Sequence, residues 1–193
     1  MLKTVGHILM KTRGWTIVGE ELVQHRRCIV IAAPHTSNWD FFYTIAGFDA
    51  LQLPVRFTIK HTWMKFPFNL LLGPAGGIAI DRRPRNEGET RASMVDAMAT
   101  LFDDHLGDLA LVITPEGTRS LSTQWKSGFY HVAMKANVPI LCGYLDYEKR
   151  EAGVGKVLQP SGDLEADMRK IMQFYADIRP KHPEKFALDT RYS

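Results

Sequence analysis

The run Cys28-Ile29-Val30-Ile31-Ala32-Ala33 is short, uncharged and stopped by Pro34, and it limits the possible folds more than any other stretch. Rich in β-branched residues and too brief for a self-sufficient helix, it reads as a buried strand. A helical pattern opens around Ser37 and runs to about Leu51, with Ser37 and Asp40 at the spacing of a capping box. Leu109–Thr114 repeats the theme as a near-continuous apolar strand, of the kind a parallel sheet covers on both faces. Further strands are expected at Trp15–Val18 (an edge), Val55–Lys60, Gly77–Ile80, Val138–Leu145 and Val154–Leu158. Helices fit after Asn86 and Glu89 (Met94, Met98, Leu101 and Phe102 as the buried face), near Phe129–Asn137, and over Leu164–Ile178. In the last of these, Leu164, Met168, Ile171 and Tyr175 share a face. Alternation of this kind predicts an α/β fold, a single domain over residues 1–193 with a mostly parallel or mixed central sheet flanked by helices.

Charge and cysteine placement exclude several classes. The net charge of +3 is carried by residues 1–27, where Lys3, Lys11, Arg13, Arg26 and Arg27 face only Glu20 and Glu21. The remainder sums to neutral, so a nucleic-acid binder with a broad basic face is not expected. Cys28 and Cys142 both lie in apolar runs and read as core thiols of a reducing, cytoplasmic compartment. No segment supplies the ~20 apolar residues of a membrane span. The stretch Phe66–Ile80 is interrupted by prolines and glycines, and Lys11 and Arg13 interrupt any signal-peptide core. In the first segment, Leu2, Val5, Ile8 and Leu9 fall at helical spacing beside Lys3, Lys11 and Trp15. Such a helix suits an anionic membrane surface or the protein's own core equally. From Pro180 the chain (180–193) reads as a polar tail.

Three polar clusters fall at strand ends. His35 follows the first buried strand, with Asp40 in the first turn of the next helix. Two readings stay open from these residues alone: a capping carboxylate beside an ordinary turn histidine, or a pair in which the carboxylate fixes the imidazole tautomer and frees its outer nitrogen to take a proton. Between Arg56 and Arg91 there are seven basic and three acidic residues, with Lys60 and Arg82 at strand ends. Ligands of open α/β sheets bind at such ends. The third cluster is Glu116-Gly117-Thr118-Arg119, where the Glu and Arg form either a local ion pair or part of a fork for phosphate. The helix after His35 carries Trp39, Phe41, Phe42, Tyr43, Ile45 and Phe48, and so is buried or borders something apolar. A candidate base, cationic strand ends and an apolar helix together fit an amphiphile with an anionic head.

The ordered set resembles the glycerolipid acyltransferase family typified by 1-acylglycerol-3-phosphate acyltransferase. That family's His-x4-Asp matches His35–Asp40, and its Lys with a later Gly-x-x-x-Ile-Asp-Arg matches Lys60 and Gly76–Arg82. Its Glu-Gly-Thr-Arg-Ser stands unaltered at Glu116–Ser120, followed by an aromatic-Lys-x-Gly at Trp125–Gly128 and Val-Pro-Ile at Val138–Ile140. The resemblance covers about residues 28–145. Pro34 departs from it, standing where an Asn commonly precedes the histidine, and only about 27 residues come before the first shared strand, where many relatives carry a longer anchoring segment.

The resemblance implies an O-acyltransferase that moves a fatty acyl group from a thioester, acyl-CoA or acyl-carrier protein, to the hydroxyl of a lysophospholipid. His35 would be the general base and Asp40 its partner. Glu116, Gly117, Thr118 and Arg119 would bind the acceptor's glycerol phosphate, with Lys60 and Arg82 assisting. No metal or redox cofactor is implied. The short leading segment predicts peripheral attachment at the cytoplasmic membrane surface rather than permanent embedding. A lyso-ornithine-type acceptor, a thioesterase-like hydrolase and a non-catalytic lipid-binding module are the competing expectations.

Overall fold

A computed structural model of the chain describes residues 2–60, 70, 73, 74, 76–80 and 93–193. Seven strands form one sheet: β1 (Thr16–Val18), β2 (Arg27–Ala32), β3 (Val55–Lys60), β4 (Gly77–Ile80), β5 (Leu109–Ile113), β6 (Ile140–Asp146) and β7 (Glu151–Leu158). Their order is β1-β7-β6-β2-β5-β3-β4. Among the described residues only the β6–β7 hairpin pairs antiparallel, so the sheet is mixed and mostly parallel, as expected. Five helices flank it among the described residues: α1 (Leu2–Thr12), α2 (Trp39–Ala50), α3 (Met94–Asp104), α4 (Gly128–Ala136) and α5 (Leu164–Tyr175).

The apolar runs become central strands because both faces of the sheet are covered. Along β2, Ile29 and Ile31 join one core cluster with α3, α4 and α5, while Cys28 and Val30 join another under α2. All four are fully buried. Each such side chain is worth roughly 1.5–3 kcal/mol relative to exposure. Strand β5 alternates in the same way, with Leu109 and Leu111 on the first face and Ala110 on the second.

Parallel pairing matters more for function than the core does. Ile31 lies beside Ile113, Phe57 beside Val112, and Lys60 beside Ile80. The C-terminal ends of β2, β5, β3 and β4 therefore sit along one edge of the sheet, where the segments beginning at residues 33, 114 and 61 leave it.

Helix α1 packs on α2 through Gly6 and Met10. A Cβ on Gly6 would lie 2.6 Å from both Ala46 Cβ and the Phe42 carbonyl oxygen, so glycine permits the close crossing. This leaves Val5 and Ile8 at 42% and 57% exposure. The segment thus packs on the core by one face and keeps apolar residues outside by another.

Several boundaries moved. Helix α2 begins at Trp39 rather than Ser37, and only half of the expected capping box forms: Asp40 accepts from the Ser37 N–H, but Ser37 Oγ accepts from the Trp39 N–H. Asn86 and Glu89 lie outside the described residues, and α3 is capped by Ser93, whose Oγ accepts from the Asp96 N–H at 3.0 Å. Strand β7 starts three residues early, because Gly153 lets β1 approach closely; a Cβ there would meet the Val18 carbonyl oxygen at 2.0 Å. The segment from Pro180 is a return path rather than a loose tail. Asp189, fully buried, accepts from the Trp125 N–H at 2.8 Å, and Trp125 Nε1–H donates to the Ala187 carbonyl at 3.1 Å.

Candidate active site

Two turns leaving adjacent strands build the centre. After β2 the chain runs through Pro34 to His35; after β5 it turns through Pro115, Glu116 and Gly117, closed by the Gly117 N–H on the Thr114 carbonyl at 3.1 Å. Gly117 has φ +68°, and a Cβ there would strike Lys126 Nζ at 2.6 Å. Glu116 ties the turns together, its Oε1 accepting from the His35 N–H at 2.7 Å.

His35 Nδ1 faces Asp40 Oδ2 at 3.5 Å, with the imidazole 24% exposed and the carboxylate 2% exposed. That distance is at the outer limit of a hydrogen bond. Such pairs are commonly long before substrate binds. Asp40 is otherwise saturated. Its Oδ2 accepts from the Thr36 and Ser37 N–H groups, each at 2.8 Å, and its Oδ1 from the Tyr147 hydroxyl at 2.7 Å. Burial alone would raise its pKa, but His35, Tyr147 and the Ser37 N–H together outweigh burial and hold the carboxyl below its ordinary value. The Tyr147 hydroxyl is pushed far up by burial and by the Asp40 charge, so it stays a donor.

Glu116 is the opposite case. Burial pushes its carboxyl up to about 7, the His35 N–H only partly offsetting this, and its Oε2 is buried with no hydrogen-bond partner among the described residues. One carboxylate is kept ionised and the other is poised near neutrality within the same pair of turns.

Two spaces open near the first of these turns, one lined by His35 and one by the residues that follow it. One is a cavity of about 360 Å³ between α2, β3, β5 and α3, walled by Phe41, Ile45, Phe48, Phe57, Met98 and Val112, with His35, Gly117 and Lys126 also lining it. The other is a groove of about 490 Å³ along residues 36–39, lined also by Arg119, Lys181 and Lys185. Arg119 Nη1–H donates to Asn38 Oδ1, and the His182 N–H donates to Thr36 Oγ1 at 3.3 Å, which holds the C-terminal segment against the groove. An imidazole with an ionised partner can take a proton from a hydroxyl, the cavity can hold an alkyl chain, and the groove can hold an anion.

Of the residues singled out in the sequence, His35, Asp40, Glu116, Gly117, Thr118 and Arg119 come together in these turns. Thr118 Oγ1 closes the second turn by accepting from the Ser120 N–H at 3.1 Å. Lys60 ends β3 on the same edge of the sheet. Arg82 lies outside the described residues. Missed were Tyr147, Lys126, Lys181 and Lys185. Lys126 carried a signal, as part of the aromatic-Lys-x-Gly block; the other three carry no local pattern and arrive only through the β6–β7 hairpin and the returning C-terminal segment.

An acyltransferase family model matches residues 14–145, about two thirds of the chain. The crystal structure of the 1-acyl-sn-glycerophosphate (LPA) acyltransferase PlsC from Thermotoga maritima superposes with a TM-score of 0.59 at 20% identity, covering 90% of this chain and 74% of that one. At that identity the likeness shows the fold. A comparison with curated proteins gives no match.

Proposed function

The chain belongs to the acyltransferase family, and on that premise we propose that it moves a fatty acyl group from a thioester, acyl-CoA or acyl-carrier protein, to the hydroxyl of a lysophospholipid of the 1-acylglycerol-3-phosphate type. The observation that carries this reading is the position of His35. Backed by the buried Asp40, it lines an apolar cavity on one side and adjoins the turn bearing Arg119 on the other.

In this reading His35 Nε2 takes the proton as the acceptor's oxygen attacks the thioester carbonyl, and returns it to the departing thiolate. Ester and free thiol form, and the C–S bond breaks. Asp40, ionised and fixed by Tyr147 and two backbone N–H groups, stabilises the imidazolium. Glu116 fixes the His35 turn, the Gly117–Thr118 turn shapes the mouth, and Arg119 with Lys60 and Arg82 takes the anionic head. The cavity takes an acyl chain. Val5 and Ile8, exposed on α1 among Lys3, Lys11 and Arg13, support peripheral attachment to an anionic bilayer. Among the described residues no helix is long and apolar enough to cross one.

Purified protein incubated with acyl thioester and a panel of lysolipids, following free thiol and acylated product together, tests the proposal. Ester formed in step with thiol on a phosphate acceptor supports it. Preference for a lyso-ornithine acceptor would change the head, fatty acid released without acceptor would make the protein a hydrolase, and lipid binding without thiol release would make it a binding module.

A further inference from the structure

Beside Tyr147, whose hydroxyl donates to Asp40, lies a cavity of about 280 Å³ that none of the sequence blocks accounts for. Its lining is Arg13, Trp15, Tyr43, Tyr147, Arg150 and Lys181. The three cations come from three distant segments: the turn after α1, the β6–β7 hairpin and the segment after α5. None has a carboxylate partner among the described residues. Acids of the same hairpin are engaged elsewhere, Asp146 with Lys149 at 3.8 Å and Glu148 with Arg179 at 4.0 Å. The Arg150 guanidinium donates instead to the Arg13 main-chain carbonyl at 3.3 Å, which ties the hairpin to the turn after α1, and both side chains line the cavity. Like charges gathered around a cavity without a counter-ion repel, and an anion bound between them relieves that repulsion.

The aromatic part of the lining is rigid. Trp15 stacks on Tyr43 with ring centroids 4.6 Å apart and meets Tyr147 edge-on at 5.0 Å. Lys181 stands on the divide between this cavity and the Arg119 groove and lies over the Trp39 ring at 5.4 Å. Through Tyr147, whose hydroxyl donates to Asp40, an occupant would sit one hydrogen bond from the candidate catalytic pair.

We infer that this cavity is a second phosphate-ester site, separate from the Arg119 groove, with Arg13 and Arg150 as its principal ligands and Lys181 as a third. The chemistry has two natural sources. One is the headgroup of an anionic phospholipid, reached when the exposed Val5 and Ile8 of α1 lie on a bilayer; the other is the phosphorylated nucleotide of a CoA thioester. The site is read from the cavity alone, while the choice between occupants rests on the proposed acyl transfer.

The test uses the full chain carrying Arg119→Ala with Lys185→Ala, which removes the two groove cations that the cavity does not share. One arm measures binding of adenosine 3′,5′-bisphosphate by calorimetry. The second measures co-sedimentation with phosphatidate-containing vesicles against pure phosphatidylcholine. At least one probe should bind, and Arg13→Gln with Arg150→Gln should weaken it ~10- to 30-fold, at about 1 kcal/mol per cation. A charge-matched control, Lys135→Gln with Arg169→Gln, should not. Thermal melting shows whether each variant is folded; should the variant with both arginine substitutions fail to fold, the probe that binds should be released from the Arg119→Ala, Lys185→Ala chain as salt rises from about 0.05 to 0.5 M. Binding of neither probe, or binding indifferent to both the arginine substitutions and salt, overturns the inference. Failure of the acyl-transfer reading would show instead in the product assay and leave these isotherms unchanged.

Discussion

Glu116→Gln isolates the cost of one buried carboxylate. The wild-type carboxyl is buried, hydrogen-bonded through Oε1 to the His35 N–H, orphaned at Oε2, and shifted from 4.5 to about 7. Because the folded value is raised, the folded protein binds the proton more tightly than the unfolded chain. Its contribution to stability is complete below about pH 4.5 and is lost as pH rises through about 7. At about 1.4 kcal/mol per pKa unit the whole loss is about 3 kcal/mol, most of which falls between about pH 5 and pH 8. Glutamine keeps the acceptor for His35 and does not titrate, so any fixed cost of its amide is the same at both pH values. Urea denaturation of wild type and Glu116→Gln at these two pH values therefore measures the ionisation alone. Relative to wild type, the variant should gain about 2–3 kcal/mol on going to the higher pH. A difference between the proteins that does not change with pH would show that Glu116 is already ionised at the lower value, and the account of a carboxyl poised near neutrality would be wrong.

His35→Ala should lower turnover by ~10²–10⁴-fold in the thiol-release assay while acceptor binding survives, and unchanged turnover would remove the base. Asp40→Asn should cost a comparable factor without abolishing lipid binding, since it spares the imidazole and removes the charge behind it. Tyr147→Phe takes away a 2.7 Å donor to a buried carboxylate and should cost ~1.5–3 kcal/mol near neutral pH. Asp40 is lowered in the folded state, so that cost should be complete above the ordinary carboxyl value of 3.8 and shrink as pH falls below it; a cost equally large in acid would assign it to packing instead. Ile45→Trp, which fills the cavity beside Phe48, should shift preference toward shorter acyl thioesters, and an unaltered chain-length profile would place the alkyl chain elsewhere.

The fold was legible where the chemistry of a stretch is local. Cys28–Ala33 and Leu109–Thr114 could only be covered strands, and their parallel pairing followed from the helices between them. Once those strands are neighbours, the turns carrying His35 and Glu116 must meet, which is why the centre of the site was readable. Features set by distant contacts were not. Gly153 extends β7 only because β1 crowds it; Tyr147 reaches Asp40 across 107 positions in sequence. The Glu116 pair of oxygens, one satisfied and one orphaned, depends on burial that no spacing records. The first helix was open between a membrane surface and the core; Gly6 shows the core packing of one face, with Val5 and Ile8 left outside.

The return of the C-terminal segment has a consequence for handling the protein. Asp189 and Ala187 hold Trp125, next to the Lys126 N–H that donates to the Pro115 carbonyl, and His182 holds Thr36, so residues beyond the family-matched region brace both turns of the candidate site. A proteolytic nick near Pro180 would leave every recognisable block intact and still strip Lys181 and Lys185 from the groove. The preparation would look correct by its landmarks and yet lack part of the lining of the candidate groove.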